Sequence, residues 1–424
     1  MRRTVTVVTV ATVVALALAL AGCSGRADPP VASRALGGHV EVFTWWAAGS
    51  EKVGLDALVG VFAAQHPDDT FVNGAVAGGA GSAAKDLLQT RLTAGRPPDT
   101  FQAHAGKELT GYIDAGQLQD ISALYDEFGI RKKFPSDLLR LLQVHGKIYS
   151  IPSNIHRSNM VWANPAVLTD AGVDPKVTYA SIDDWFPALD AVKATGKTAL
   201  SVATTWTQVN LLETVLMSDL GATRYAGLWD GTTDWKGAAV TAALEDFQKL
   251  MSYTNPDRDG LDWPDALQRV IDGQAGFNVM GDWAAAAYEG QQKVAGTDYT
   301  YFPVPGSAGM FGFLADSFTL PVGAPNPAGA KDWLETVSSL KGQTAFNQAK
   351  GSIPARTDAN PASFSPYQQS AIKAFDQETI VPSLAHGAAA SIAQLTAITA
   401  ATKTFTAGAS DLRAYQSALA AAAS

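Results

Sequence analysis

A single cysteine, Cys23, stands among 424 residues. It excludes an intrachain disulfide, a multi-cysteine zinc site and a C-x-x-C redox centre. Charge is also scarce, at 17% of residues against about 25% in an average soluble chain. Lys and Arg number 31 against 40 Asp and Glu, a net charge of −9. That balance disfavours nucleic acid or an anionic membrane surface as the main partner. The six histidines include no i, i+4 pair, so no metal site is expected. H-E-x-x-H, G-x-S-x-G and the Walker loop are all missing, and nothing calls for a cofactor. Beyond the first residues, no stretch approaches the eighteen or so uninterrupted apolar residues of a spanning helix.

What is present begins with an address. Arg2 and Arg3 precede an uncharged run from Val5 to Leu20, and Leu20-Ala21-Gly22 leads into Cys23. Positive start, apolar run and small-residue cleavage site make a secretory leader over residues 1–22. A cysteine just after that site is the bacterial lipobox pattern, whose thiol takes a diacylglycerol. Residues 23–38, rich in Gly, Pro, Ala and Ser, then read as a flexible tether. The expected product is an exported protein, lipid-anchored through Cys23 to the outer face of the cell membrane.

From His39 onward the pattern is α/β. Val40 to Trp46 and Thr70 to Val76 read as strands, while Leu55 to Gln65 and Ala83 to Thr93 carry helical spacing. Further strands are expected at Met160–Trp162, Ala199–Val202, Gly276–Met280 and Phe311–Leu320, with a helix at Ala238–Ser252 and a mostly helical tail. Strand–helix alternation implies a parallel sheet covered on its faces. Two such lobes with no linker between them suggest a chain that crosses more than once. Tyr149–Pro152 and Thr300–Pro305 are the candidate crossings. Ligands of open α/β sheets bind beyond the strand C-termini, and pockets favour domain boundaries.

Gly78–Ser82 misses the dinucleotide spacing and reads as a tight loop. Asn255–Gly260 starts like a calcium loop, but its twelfth position is Ala266, where a bidentate Glu is required. Aromatic rings beside polar groups at strand ends are more informative. The apolar face of a pyranose stacks on flat rings while its hydroxyl rim needs charged or amide partners. Trp45-Trp46 with Glu51 just beyond, and Phe101-Gln102-Ala103-His104, supply that combination. A glycosidase pair of Glu51 and Asp282 remains an alternative, giving a secreted carbohydrate-active hydrolase. An adhesin without a small ligand is a third reading.

Several stretches resemble one family. FTWWAAGSEK from Phe43, VNGAVAGGAGSAAKDLLQTRL from Val72, PPDTFQAHAGKEL from Pro97 and PSNIHRSNMVW from Pro152 are similar to the extracellular solute-binding proteins of ABC sugar importers. Within it the glucose- and mannose-binding group is the nearest match. MGDWAAA from Met280, DSFTLPVGA from Asp316, KGSIPAR from Lys350 and SLAHGAAA from Ser383 continue the likeness. The resemblance implies a two-lobed periplasmic-binding-protein fold of class II type, with hinge strands joining the lobes around a ligand cleft. Lobe I would comprise 39–152 plus 303–325, and lobe II 153–302 plus 326–424.

It further implies a monomeric receptor that does no chemistry. Such a receptor closes on a monosaccharide, glucose or a close hexose, and delivers it to a membrane permease. By the same resemblance, Trp45 and Trp46 stack or wall the sugar, and Glu51, Gln102 and His104 meet its hydroxyls. Trp206 adds a ring from the second lobe, Asp282 an acceptor, and Lys350 and His386 donors. His156 and Arg157 are expected to be structural.

Overall fold

The computed structural model describes residues 38–76 and 81–423. The expected leader, Cys23 and most of the tether lie outside those residues, as do positions 77–80 of the glycine-rich loop. Among the described residues, no helix is long and apolar enough to cross a membrane.

Two separate sheets organise the chain. The first runs in the order Thr70–Asn73, His39–Phe43, Thr100–His104, Asp316–Thr319, Ser150–Pro152. Its first three strands are parallel, and Asp316–Thr319 is antiparallel to both neighbours. The second runs Thr300–Pro303, Met160–Ala163, Ala275–Val279, Thr198–Ser201, with its last two strands parallel. Strands buried on both faces read as continuous apolar runs, and Ala275–Val279 and Met160–Ala163 are buried at every position. Two cores result, one around Val40, Phe62, Phe101 and Trp333 that also takes in Met160 and Trp162 of the second sheet, the other around Trp185, Leu212, Phe247 and Phe277.

A third sheet of three short strands, Thr379–Pro382, Met310–Leu314 and His156–Arg157, joins the two. Chain passes directly from Ser150–Pro152 to His156–Arg157, and back from Met310–Leu314 to Asp316–Thr319. The expected crossing at Thr300–Pro305 is therefore misplaced. Thr300–Pro303 is an edge strand of the second sheet, paired with Met160–Ala163. Its Pro303 suits an edge, where a missing N–H leaves no gap in a ladder.

The expected lobe boundary also shifts. Helices Pro327–Ser338 and Leu340–Lys350 fall in the stretch read as lobe II, yet Trp333, Leu334, Val337 and Phe346 belong to the core of the first sheet. They lie against helix Gly49–Gln65. Close approach there requires Gly54, because a Cβ would fall 2.8 Å from the Cβ of Lys350.

Candidate functional site

The strand ends of both sheets converge on one small cavity of about 40 Å³, walled by Trp45, Trp206, Trp263, Trp283, His104, His156 and His386. Glu51, Asp262, Asp316 and Lys350 supply its charges. A wider cavity of about 690 Å³ shares Trp206 and Asp262 with it and also touches Lys85, Asp259 and Asp265.

Local structure explains each placement. Trp45 follows strand His39–Phe43, and its indole lies on the backbone of Gly81, where a Cβ would come within 2.7 Å of the ring. Gly81 has φ +84, a conformation glycine adopts freely. His104 ends Thr100–His104 and stands with its ring 4.9 Å from Trp45. Antiparallel pairing sets Asp316 directly opposite His104. Glu51 occupies the first turn of Gly49–Gln65 and Lys350 the last residue of Leu340–Lys350. An acid at a helix start and a base at a helix end both complement the helix dipole.

From the second sheet, Trp206 opens the helix that follows Thr198–Ser201, and its indole N–H donates to Asp262 at 3.3 Å. Asp262 caps helix Trp263–Ile271, accepting from Trp263 N–H while Asp265 accepts from Asp262 N–H. Trp283 opens Trp283–Gly290, with its ring 5.3 Å from His386 and 5.1 Å from His156.

Charges in the cavity are tied together. Lys350 Nζ donates to His156 Nε2 at 2.8 Å and lies 3.8 Å from Glu51 Oε1. His156 Nδ1 in turn bonds Asp282, which also accepts from Arg157 N–H at 3.0 Å. Burial, then Lys350, keeps His156 well below its ordinary value, so the ring is neutral. Burial pushes Glu51 up to about 7; Lys350 opposes the rise, and Asp316 and Asp262 add to it. Asp316 is buried, yet Lys350 and His104 hold it below the usual range. Glu108 falls to about 2 because Lys85 and His104 outweigh its burial.

Of the residues singled out in the sequence, Trp45, Glu51, His104, Trp206, Lys350 and His386 line the cavity together. Trp46, Gln102 and Asp282 stand behind its wall. Trp46 is buried against Phe318 and Phe346, with Lys350 Nζ 5.3 Å over its ring. Gln102 accepts from the Thr44 hydroxyl and donates to Asp316 at 2.8 Å. Asp282 reaches the cavity only through His156. Glu51 and Asp282 therefore do not face one space as an acid and nucleophile would.

Sequence reasoning missed Asp262, Trp263, Trp283 and Asp316, and it favoured a structural role for His156, which lines the cavity. In Gly281-Asp282-Trp283, adjacent residues exchange roles: the ring faces the cavity and the carboxylate stands behind it. For Asp316, an acid inside a buried strand was the available signal. The grouping of His66, Asp332 and Glu335, which could hold a metal ion, has its ligand atoms within 4.8 Å of one another. It follows the far end of Gly49–Gln65, about 22 Å from Glu51 along the helix axis.

Residues 48–344 match the bacterial extracellular solute-binding protein family. The chain belongs to this family. It is 34% identical over 381 residues to the ABC transporter extracellular-binding protein PH1214 of Pyrococcus horikoshii, covering 88% of this chain and 86% of that one. It is 29% identical to the xylose/arabinose-binding protein XacG of Haloferax volcanii, covering 83% and 77%. A chitin oligosaccharide binding protein of known structure superposes with a TM-score of 0.79 at 20% identity, over 91% of this chain and 98% of that one. That likeness, with the two sheets and the joining strands, makes the fold the two-lobed periplasmic-binding type. The family binds solutes and is not a family of enzymes.

Proposed function

We propose that this solute-binding protein is the sugar receptor of an ABC importer. It takes a monosaccharide, glucose or a close hexose, between its lobes and passes the closed complex to a membrane permease. The observation that carries this reading is the cavity itself. Four tryptophans offer flat apolar faces while Glu51, Asp262, Asp316, Lys350 and three histidines ring them with hydrogen-bonding groups. Rings against faces and charged groups against hydroxyls is the complementarity a pyranose requires. Trp46, Gln102 and Asp282 serve by holding Lys350, Asp316 and His156 in place.

Isothermal titration with glucose, galactose, mannose, xylose and arabinose tests the reading, with micromolar or tighter binding of one hexose expected. Disaccharides belong in the same panel, since the wider cavity shares Trp206 and Asp262 with the inner one. Tighter binding of a disaccharide than of any monosaccharide overturns the monosaccharide reading, and silence across the panel overturns the sugar reading. We further propose acylation of Cys23. A Cys23→Ser variant is then expected in the soluble fraction, with wild-type protein in the membrane fraction.

A further inference from the structure

His386 reaches the cavity on a turn, residues 383–389, that is held from two directions. On one side, the Ser383 hydroxyl lies 2.9 Å from both carboxylate oxygens of Glu213, and Ala385 N–H donates to that carboxylate at 2.7 Å. On the other side, Glu108 N–H donates to the Gly387 carbonyl at 2.9 Å and Lys107 N–H to the Ala388 carbonyl at 3.3 Å. Glu213 is fully buried in helix Thr205–Asp230, two turns after Trp206 and on the same face. It does not line the cavity; its carboxylate holds the turn and also meets Ser158.

Proton counting shows what that does. The Ser383 oxygen is also 2.8 Å from His386 Nδ1. A hydroxyl has one proton to donate, and an ionised carboxylate can only accept. Burial pushes Glu213 up to about 7, so above that pH it is ionised, and Ser383 then donates to Glu213 and accepts from His386. Burial, with His104 and Lys85 nearby, holds His386 well below its ordinary value. Its neutral ring carries a single N–H. With that proton on Nδ1, Nε2 is a bare acceptor. We propose that Glu213 is a positioning residue that acts through Ser383, fixing His386 as the Nδ1–H tautomer so that it accepts a hydrogen bond from the solute. This reverses the donor role that family resemblance suggests for His386.

A long-range proton–nitrogen spectrum of the ¹⁵N-labelled chain at pH 8, without sugar, reads the tautomer directly. The His386 signal is identified by its loss in His386→Gln. Expected is a protonated Nδ1 and a bare Nε2 in the wild type, moving toward the Nε2–H form in Glu213→Gln and in Ser383→Ala. An Nε2–H ring in the wild type, or a tautomer unmoved by both variants, overturns the proposal.

A second arm rests on the receptor reading and uses the sugar that binds best. Glu213→Gln is expected to weaken it about tenfold in the wild type and less than about twofold in a His386→Gln background. Equal factors in both backgrounds overturn the proposal, since general destabilisation acts alike in each. Should Glu213→Gln not fold, Ser383→Ala carries both arms. If no sugar binds, the receptor reading falls while the spectrum still decides this one.

Discussion

Lys350 is the residue on which the cavity turns. It is buried, donates to neutral His156, and supplies the positive charge nearest Glu51 and Asp316. Lys350→Met keeps the bulk and removes the charge, stranding two carboxylates in a largely dry site. Breaking such a pair costs about 3 kcal/mol of stability, so we expect the urea-unfolding free energy of the variant to fall by about that amount. Glu51 has a second consequence. Its folded-state value of about 7, against 4.5 unfolded, means that the folded chain keeps a proton which the unfolded chain releases. This stabilisation is complete below about pH 4.5 and is lost as pH rises through 7. Comparing Glu51→Gln with the wild type by urea unfolding, we expect the wild type to lose about 2 kcal/mol relative to the variant between about pH 5 and 8. Parallel curves would contradict the shifted proton.

Among the elements, the three joining strands matter most, and Arg157 fastens them. Its guanidinium donates to Asn159 at 3.1 Å and to the Met310 carbonyl at 3.0 Å, pairs with Glu378 at 2.7 Å and covers the Phe311 ring. Arg157→Met leaves Glu378 without its partner, and we expect a stability loss of about 3 kcal/mol by urea unfolding. Arg157→Lys recovers little, because a single ammonium cannot reproduce the planar fork. The same elements show what was legible beforehand. Most strands and helices were readable from periodicity, and Trp45, Glu51 and His104 from the rule that strand C-termini carry ligands. Trp206, Lys350 and His386 rested on resemblance. Asp262 and Trp263 were lost because helix phase alone decides which residue of a neighbouring pair meets the cavity. The crossing at Met310–Leu314 was lost because buried strands of a hinge and of a sheet share one apolar pattern. Helices Pro327–Ser338 and Leu340–Lys350 were misassigned because chain order says nothing about which core an amphipathic face joins.

At the scale of the whole molecule, residues from both sheets meet in the cavity, so a solute touching both favours the closed arrangement over any open one. Its influence equals its differential affinity for the two. We expect small-angle scattering to show the radius of gyration falling by about 1 Å on saturation with the preferred sugar. A Trp206→Ala variant, which removes a second-lobe ring, should need more sugar to reach the same change. An unchanged radius at saturation would sink closure as the mechanism.

The position of Asp316–Thr319 in the first sheet also sets a schedule. It lies between Thr100–His104 and Ser150–Pro152, and 214 residues separate Gln102 from its hydrogen-bond partner Asp316. Until that late strand has emerged during synthesis, Thr100–His104 lacks one of its two neighbours and Ser150–Pro152 has no partner in the sheet. Contacts this distant in sequence slow folding. For a chain of an extracellular family, this delays completion of the first sheet until residue 319 has been made.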